Sequence, residues 1–109
     1  MAGKLRIYRE PKLAPAYTTA LGQAFCTDAL DMLASLPEES VSLVVTSPPF
    51  ALKRKKNYGN VAPEDYVEWF QPFATAIHRV LKPTGSFVIE LGGSWNPGVP
   101  TRSLYQYEL

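Results

Sequence analysis

One cysteine and one histidine in 109 residues exclude several chemistries at the outset. Cys26 has no second cysteine to pair with, so no internal disulfide can form, and a reducing cytoplasm is the expected setting. His78 stands alone, without the cluster of ligands that a metal ion needs, so no metal is expected. It falls late in a helical pattern and reads as a surface or helix-end residue. Long hydrophobic runs are missing too. The apolar stretches are strand-length, so no membrane span is expected. Lys4, Arg6 and Arg9 are followed by no apolar run, so no secretory signal is expected. Charge of either sign is also scarce in the balance: a net charge of +1 provides no basic coat, so any contact with nucleic acid must be local.

What is present fits a globular core. The hydrophobic fraction is 46% and the charged fraction 19%, in a chain long enough for one domain at most. Residues 1–16, with Pro11 and Pro15 among basic residues, are expected to form an arm with little structure of its own. Residues 17–109 form the folded portion. Gln23-Ala24-Phe25-Cys26 reads as a short buried strand, with Cys26 a small buried hydrophobe. Thr27 is the expected N-cap of a helix with Asp28 and Asp31 in its first turn, ending near Leu36-Pro37. Val41 to Val45 is apolar and β-branched, as in a parallel strand covered on both faces. Pro63-Glu64-Asp65 opens a long helix whose apolar stripe is Tyr66, Trp69, Phe70, Phe73, Ile77, Val80 and Leu81, the aromatic members serving as core packing. Lys82-Pro83-Thr84-Gly85 makes a turn, Ser86 to Leu91 the next strand, and Pro100-Thr101-Arg102 starts a short helix. The order is β-α-β-α-β, an α/β class with a parallel sheet. Such sheets gather chemistry beyond the carboxyl ends of their strands. Thr27-Asp28, Ser47-Pro48-Pro49-Phe50 and Gly92-Gly93 are all expected on that edge.

Ser47 to Phe50 reads either as a generic loop, since proline pairs mark turns everywhere, or as a turn suited to one reaction. An exocyclic amine on a base is a poor nucleophile, because its lone pair is delocalised into the ring. Acceptors that take both amine hydrogens draw it toward tetrahedral geometry and aim it. Ser47 offers a hydroxyl and Pro48 a carbonyl; Pro49 stiffens the turn. Phe50 gives a base drawn out of the duplex a face to stack on.

The stretch Thr46-Ser47-Pro48-Pro49-Phe50 resembles the catalytic motif of the DNA amino-methyltransferases of restriction-modification systems. So do Leu36-Pro37-Glu38-Glu39-Ser40-Val41, Asp65 to Phe70, Arg79 to Val88 and Gly98 to Ser103. The likeness runs from about Tyr17 to the end. It implies an incomplete Rossmann-like sheet, S-adenosyl-L-methionine as methyl donor, and double-stranded DNA with a flipped target base as substrate. A serine before the two prolines implies cytosine N4 as target, with adenine N6 the alternative. In that family the catalytic half precedes target recognition and a Phe-x-Gly-x-Gly cofactor loop. Neither that loop nor a recognition segment is found in these 109 residues, so a truncated portion or one half of a split enzyme is expected, its cofactor half supplied by a second chain. An inactive remnant that only associates with another chain is the other reading, since an open sheet edge invites pairing.

Asp28 and Ala29 are expected cofactor contacts by the resemblance, although Asp28 serves equally well as a helix-initiating acid. Lys53, Arg54, Lys55 and Lys56 follow the turn, where they could hold DNA phosphates, or form a solvated loop. Tyr58 could stack there or cap the loop. Methylation at carbon 5 of cytosine needs a thiolate in the turn. Cys26 precedes the wrong turn, which excludes that route.

Overall fold

The computed structural model describes residues 13–51, 61–93 and 95–109. It is an α/β structure with the order β1 (Tyr17–Thr18), β2 (Gln23–Ala24), α1 (Ala29–Ser35), β3 (Val41–Thr46), α2 (Tyr66–Val80), β4 (Leu81–Ile89) and α3 (Tyr105–Glu108). Two compact units share these elements. One comprises Met1–Val44 and Phe73–Ser86, the other Val45–Pro72 and Phe87–Leu109. β3 and β4 form a two-stranded sheet. Ser40 N–H bonds the Val80 carbonyl where both enter, and Glu90 N–H bonds the Thr46 carbonyl where both leave, so the strands are parallel and α2 connects them.

In the first unit β1 and β2 form an antiparallel hairpin pairing Tyr17 with Ala24 and Thr18 with Gln23. This corrects the expected Gln23–Cys26 strand, which is only two residues long and joins neither β3 nor β4. The physical reason is local. Thr19 Oγ1 accepts from Gly22 N–H at 3.1 Å, and Thr19 N–H bonds the Gly22 carbonyl at 2.8 Å, so a tight turn closes at little entropic cost. Cys26 lies past the hairpin and is exposed, contrary to the buried position expected. The N-cap of α1 is Asp28 rather than Thr27, because the carboxylate Oδ1 accepts from the N–H groups of Leu30 and Asp31. At its other end, Arg79 Nη2 donates to the carbonyls of Leu33 at 2.7 Å and Leu36 at 2.9 Å, setting a positive charge where the dipole is negative. Glu39 takes the left-handed conformation, φ 49°, and its N–H bonds the Arg79 carbonyl before the chain enters β3. Val41, Ile77 and Val80 are buried here.

β3 is not covered on both faces. Val41 is buried, but Leu43 and Val45 are exposed, since within the described residues its sheet has one other strand and α2 as the crossover. The expected turn at Lys82–Gly85 lies within the bounds of β4, which starts at Leu81 rather than Ser86. A Cβ on Gly85 would sit 3.0 Å from the Lys82 carbonyl oxygen and 3.1 Å from that of Val41, so a larger residue there would require the backbone to shift.

In the second unit a turn of 3-10 helix, Pro63–Asp65, leads into α2. Its stripe buries Tyr66 and Phe70. Phe70 stacks on Phe87 of β4 with ring centroids 6.4 Å apart. Pro72 lies inside α2 on its exposed side, where a lost intrahelical bond can be replaced by water. The last helix begins at Tyr105 and not at Pro100–Arg102, because residues 95–102 make a hairpin instead.

Candidate active site

β3 delivers the chain to the turn. Thr46 is its last residue, and the prolines that follow have no N–H to continue a ladder. Ser47 is exposed, while Pro48, Pro49 and Phe50 are half-buried and Ala51 fully buried. Two tyrosines hold this turn. The Tyr66 hydroxyl donates to the Pro49 carbonyl at 2.8 Å. The Tyr105 hydroxyl accepts the Ala51 N–H at 3.2 Å and donates to the Gly92 carbonyl. The two rings lie 4.5 Å apart, centroid to centroid, and both are buried. Burial, and then the neighbouring Tyr105, pushes the Tyr66 phenol from 10.0 up to about 12, which keeps it a donor.

Phe50 rests on Gly92. A Cβ there would lie 2.9 Å from Phe50 Cε2, so a side chain at position 92 and this ring position exclude each other. Among the described residues neither the Ser47 hydroxyl nor the Pro48 carbonyl has a hydrogen-bond partner, so both remain available as acceptors. An open cleft of about 880 Å³ starts at Gly92 and Gly93 and is walled by Arg102, Gln106 and Tyr107.

Ser47, Pro48, Pro49, Phe50, Gly92 and Gly93 therefore share one unit. Asp28 and Ala29 belong to the other, where Asp28 caps α1. Lys53, Arg54, Lys55 and Lys56, the expected phosphate contacts, and Tyr58 lie outside the described residues. His78 is exposed in the last turn of α2. Among the described residues no group of three or more histidines, cysteines or carboxylates could hold a metal, and no helix is long and apolar enough to cross a membrane. Sequence reasoning missed the roles of Tyr66, Tyr105 and Gly92. For Tyr66 a signal existed: it is the one hydroxyl-bearing member of the α2 stripe. Tyr105 gave none, because its partners are far away in the chain.

A strand thus ends in Ser-Pro-Pro-Phe, and two buried tyrosines pin the turn that follows it. Residues 41–104 match the family described as DNA methylase, and the chain belongs to that family. It is similar to the type II methyltransferase M.PvuII of Proteus hauseri, 53% identical over 95 residues, which cover 87% of this chain and 28% of that protein. It is also similar to the type II methyltransferase M.BglII of Bacillus subtilis, 39% identical over 72 residues, 66% of this chain and 20% of that one. Among solved structures it resembles a PvuII DNA methyltransferase (cytosine-N4-specific), with a TM-score of 0.74 and 50% identity over 91% of this chain and 35% of that chain. The chain thus spans about a third or less of the length of these relatives.

Proposed function

We propose that this chain is the catalytic portion of a DNA methyltransferase that transfers a methyl group to N4 of cytosine in duplex DNA. The observation that carries it is the pinned turn. Tyr66 occupies the Pro49 carbonyl, which leaves the Ser47 hydroxyl and the Pro48 carbonyl to accept the two amine hydrogens. Accepting them localises the nitrogen lone pair and aims it. Phe50, backed by Gly92, offers its ring to the extracted base. Lys53, Arg54, Lys55 and Lys56 follow in sequence and would take DNA phosphates. No thiol is required.

S-adenosyl-L-methionine, when bound, supplies an electrophilic methyl group on sulfur. Asp28 fits such a group: Oδ1 caps α1, and the second carboxylate oxygen of this exposed residue is left to accept from ribose hydroxyls or an adenine amine. Ala29 would lie beside it. The β3-α2-β4 unit is then part of a Rossmann-like sheet, and exposed Leu43, Val45 and Val88 are apolar surface for the remaining layers. Those would come from the unmatched part of a relative-like protein, in the same or a second chain.

The test is complementation. The chain is mixed with a polypeptide corresponding to the unmatched remainder of M.PvuII, duplex DNA and labelled methyl donor, and the nucleosides are separated. N4-methylcytosine, falling at least about 100-fold in Ser47→Ala, is expected. N6-methyladenine as product, or undiminished transfer by Ser47→Ala, would refute the assignment.

A further inference from the structure

The hairpin after Gly93 contains none of the residues of the Ser47–Phe50 turn. Trp95 and Arg102 are paired across it, Asn96 N–H bonds the Thr101 carbonyl at 2.8 Å, and Gly98 turns it with φ 74°. The arrangement fixes the Arg102 guanidinium from two sides. Nη2 donates to the Gly93 carbonyl at 3.0 Å, and the guanidinium carbon lies 5.2 Å from the centre of the Trp95 ring. Both partners are neutral, and among the described residues no carboxylate pairs with it. The cation is held in place with its charge uncompensated.

Arg102 forms part of the cleft of about 880 Å³ that begins at Gly92, the residue against Phe50. Two further features of that wall call for a ligand. Gln106 Oε1 is buried and accepts no hydrogen bond, and Tyr107 is 81% exposed. Trp95, which touches Arg102 beside the cleft without lining it, is 62% exposed. An oriented, unpaired arginine suits a phosphate. Exposed aromatic rings suit the faces of unstacked bases, and an orphan acceptor suits an amine or hydroxyl of a nucleotide.

We propose that this cleft holds the DNA strand at the nucleotide next to the extracted base: Arg102 binds its phosphate, Gln106 accepts a hydrogen bond from it, and the rings of Trp95 and Tyr107 stack on bases. The proposal rests on reading the Ser47–Phe50 turn as the place of methylation, since it is the contact of Gly92 with Phe50 that ties the cleft to that turn. An acidic peptide would satisfy the arginine but not the aromatic faces.

The experiment measures fluorescence anisotropy of a short labelled single-stranded oligodeoxynucleotide on the 109-residue chain across a salt series, without methyl donor. Arg102→Gln is expected to weaken binding about tenfold and to lower the slope of log affinity against log salt by about 1. Arg102→Lys should keep the slope, and Trp95→Leu should weaken binding about tenfold with the slope unchanged. Circular dichroism checks the fold of each variant, and the Lys variant keeps the test open if the Gln variant is unstable. An unchanged slope in folded Arg102→Gln, no binding by the unsubstituted chain, or equal competition by polyglutamate overturns the proposal. Arg102-dependent binding with no methyl transfer in the complementation test would instead overturn the catalytic reading and leave the cleft a nucleotide site.

Discussion

The Tyr66 hydroxyl lies 2.8 Å from the carbonyl oxygen of Pro49 and donates to it. One side chain thus ties the first turn of α2 to the turn that follows β3. The bond consumes one of the two proline carbonyls, and the other has no partner among the described residues. Pro49 stiffens the backbone, but stiffness alone does not choose an orientation. Tyr66 chooses it.

Tyr66→Phe keeps the buried ring and removes only the donor. The half-buried Pro49 carbonyl is left unsatisfied, at a cost of about 1–3 kcal/mol. Urea unfolding should show a lower midpoint with an unchanged slope, and any methyl transfer by the complemented chain should fall in kcat more than it changes KM.

Tyr66 also sets an alkaline limit. Its phenol is raised from 10.0 to about 12 by burial and by Tyr105, so the folded chain holds this proton more tightly than the unfolded one. The stability this represents is complete below pH 10 and is lost as pH rises from 10 toward about 12, because the unfolded chain ionises first. Unfolding experiments through that window should show the decline, and Tyr66→Phe should flatten it.

Gly92→Ala places a methyl group 2.9 Å from Phe50 Cε2 and 3.0 Å from Cδ2. An aromatic ring against backbone cannot yield as a flexible chain would. A loss of about 1–3 kcal/mol is expected, seen as a lower thermal midpoint, and Gly92→Val should lose more.

Asp28 separates its two roles by substitution. Asp28→Ala removes the cap and should cost about 1 kcal/mol, whereas Asp28→Asn keeps an acceptor for Leu30 and Asp31 N–H and should cost only a few tenths. Equal stability of the Asn variant with weakened methyl-donor binding, read by calorimetry on the complemented chain, would assign the second oxygen to the cofactor. Unaltered binding by both variants would leave Asp28 a cap and nothing more.

Patterns of period and punctuation were legible where they ran long. The apolar run from Val41, the prolines that end it and the stripe from Tyr66 to Val80 are each decided by local sequence, and β3, the turn and α2 stand where that reading puts them. The β1–β2 hairpin was hidden because Gln23 to Cys26 has a strand's composition and the Thr19 hydroxyl bonds that divert it carry no periodic signal. Thr27 and Asp28 are both good caps, and only the observed bonds to Oδ1 separate them. Tyr105 was illegible for a deeper reason: its importance lies in Ala51 and Gly92, and nothing in its neighbourhood announces either.

The bond between Ala51 N–H and the Tyr105 hydroxyl spans 54 positions. During synthesis the turn leaves the ribosome well before the tyrosine that fixes it, so a nascent chain carries Ser-Pro-Pro-Phe as an unfastened segment. Closing so long a loop costs more entropy than closing a local turn. The contacts that hold the Ser47–Phe50 turn are therefore complete only once α3 has been translated.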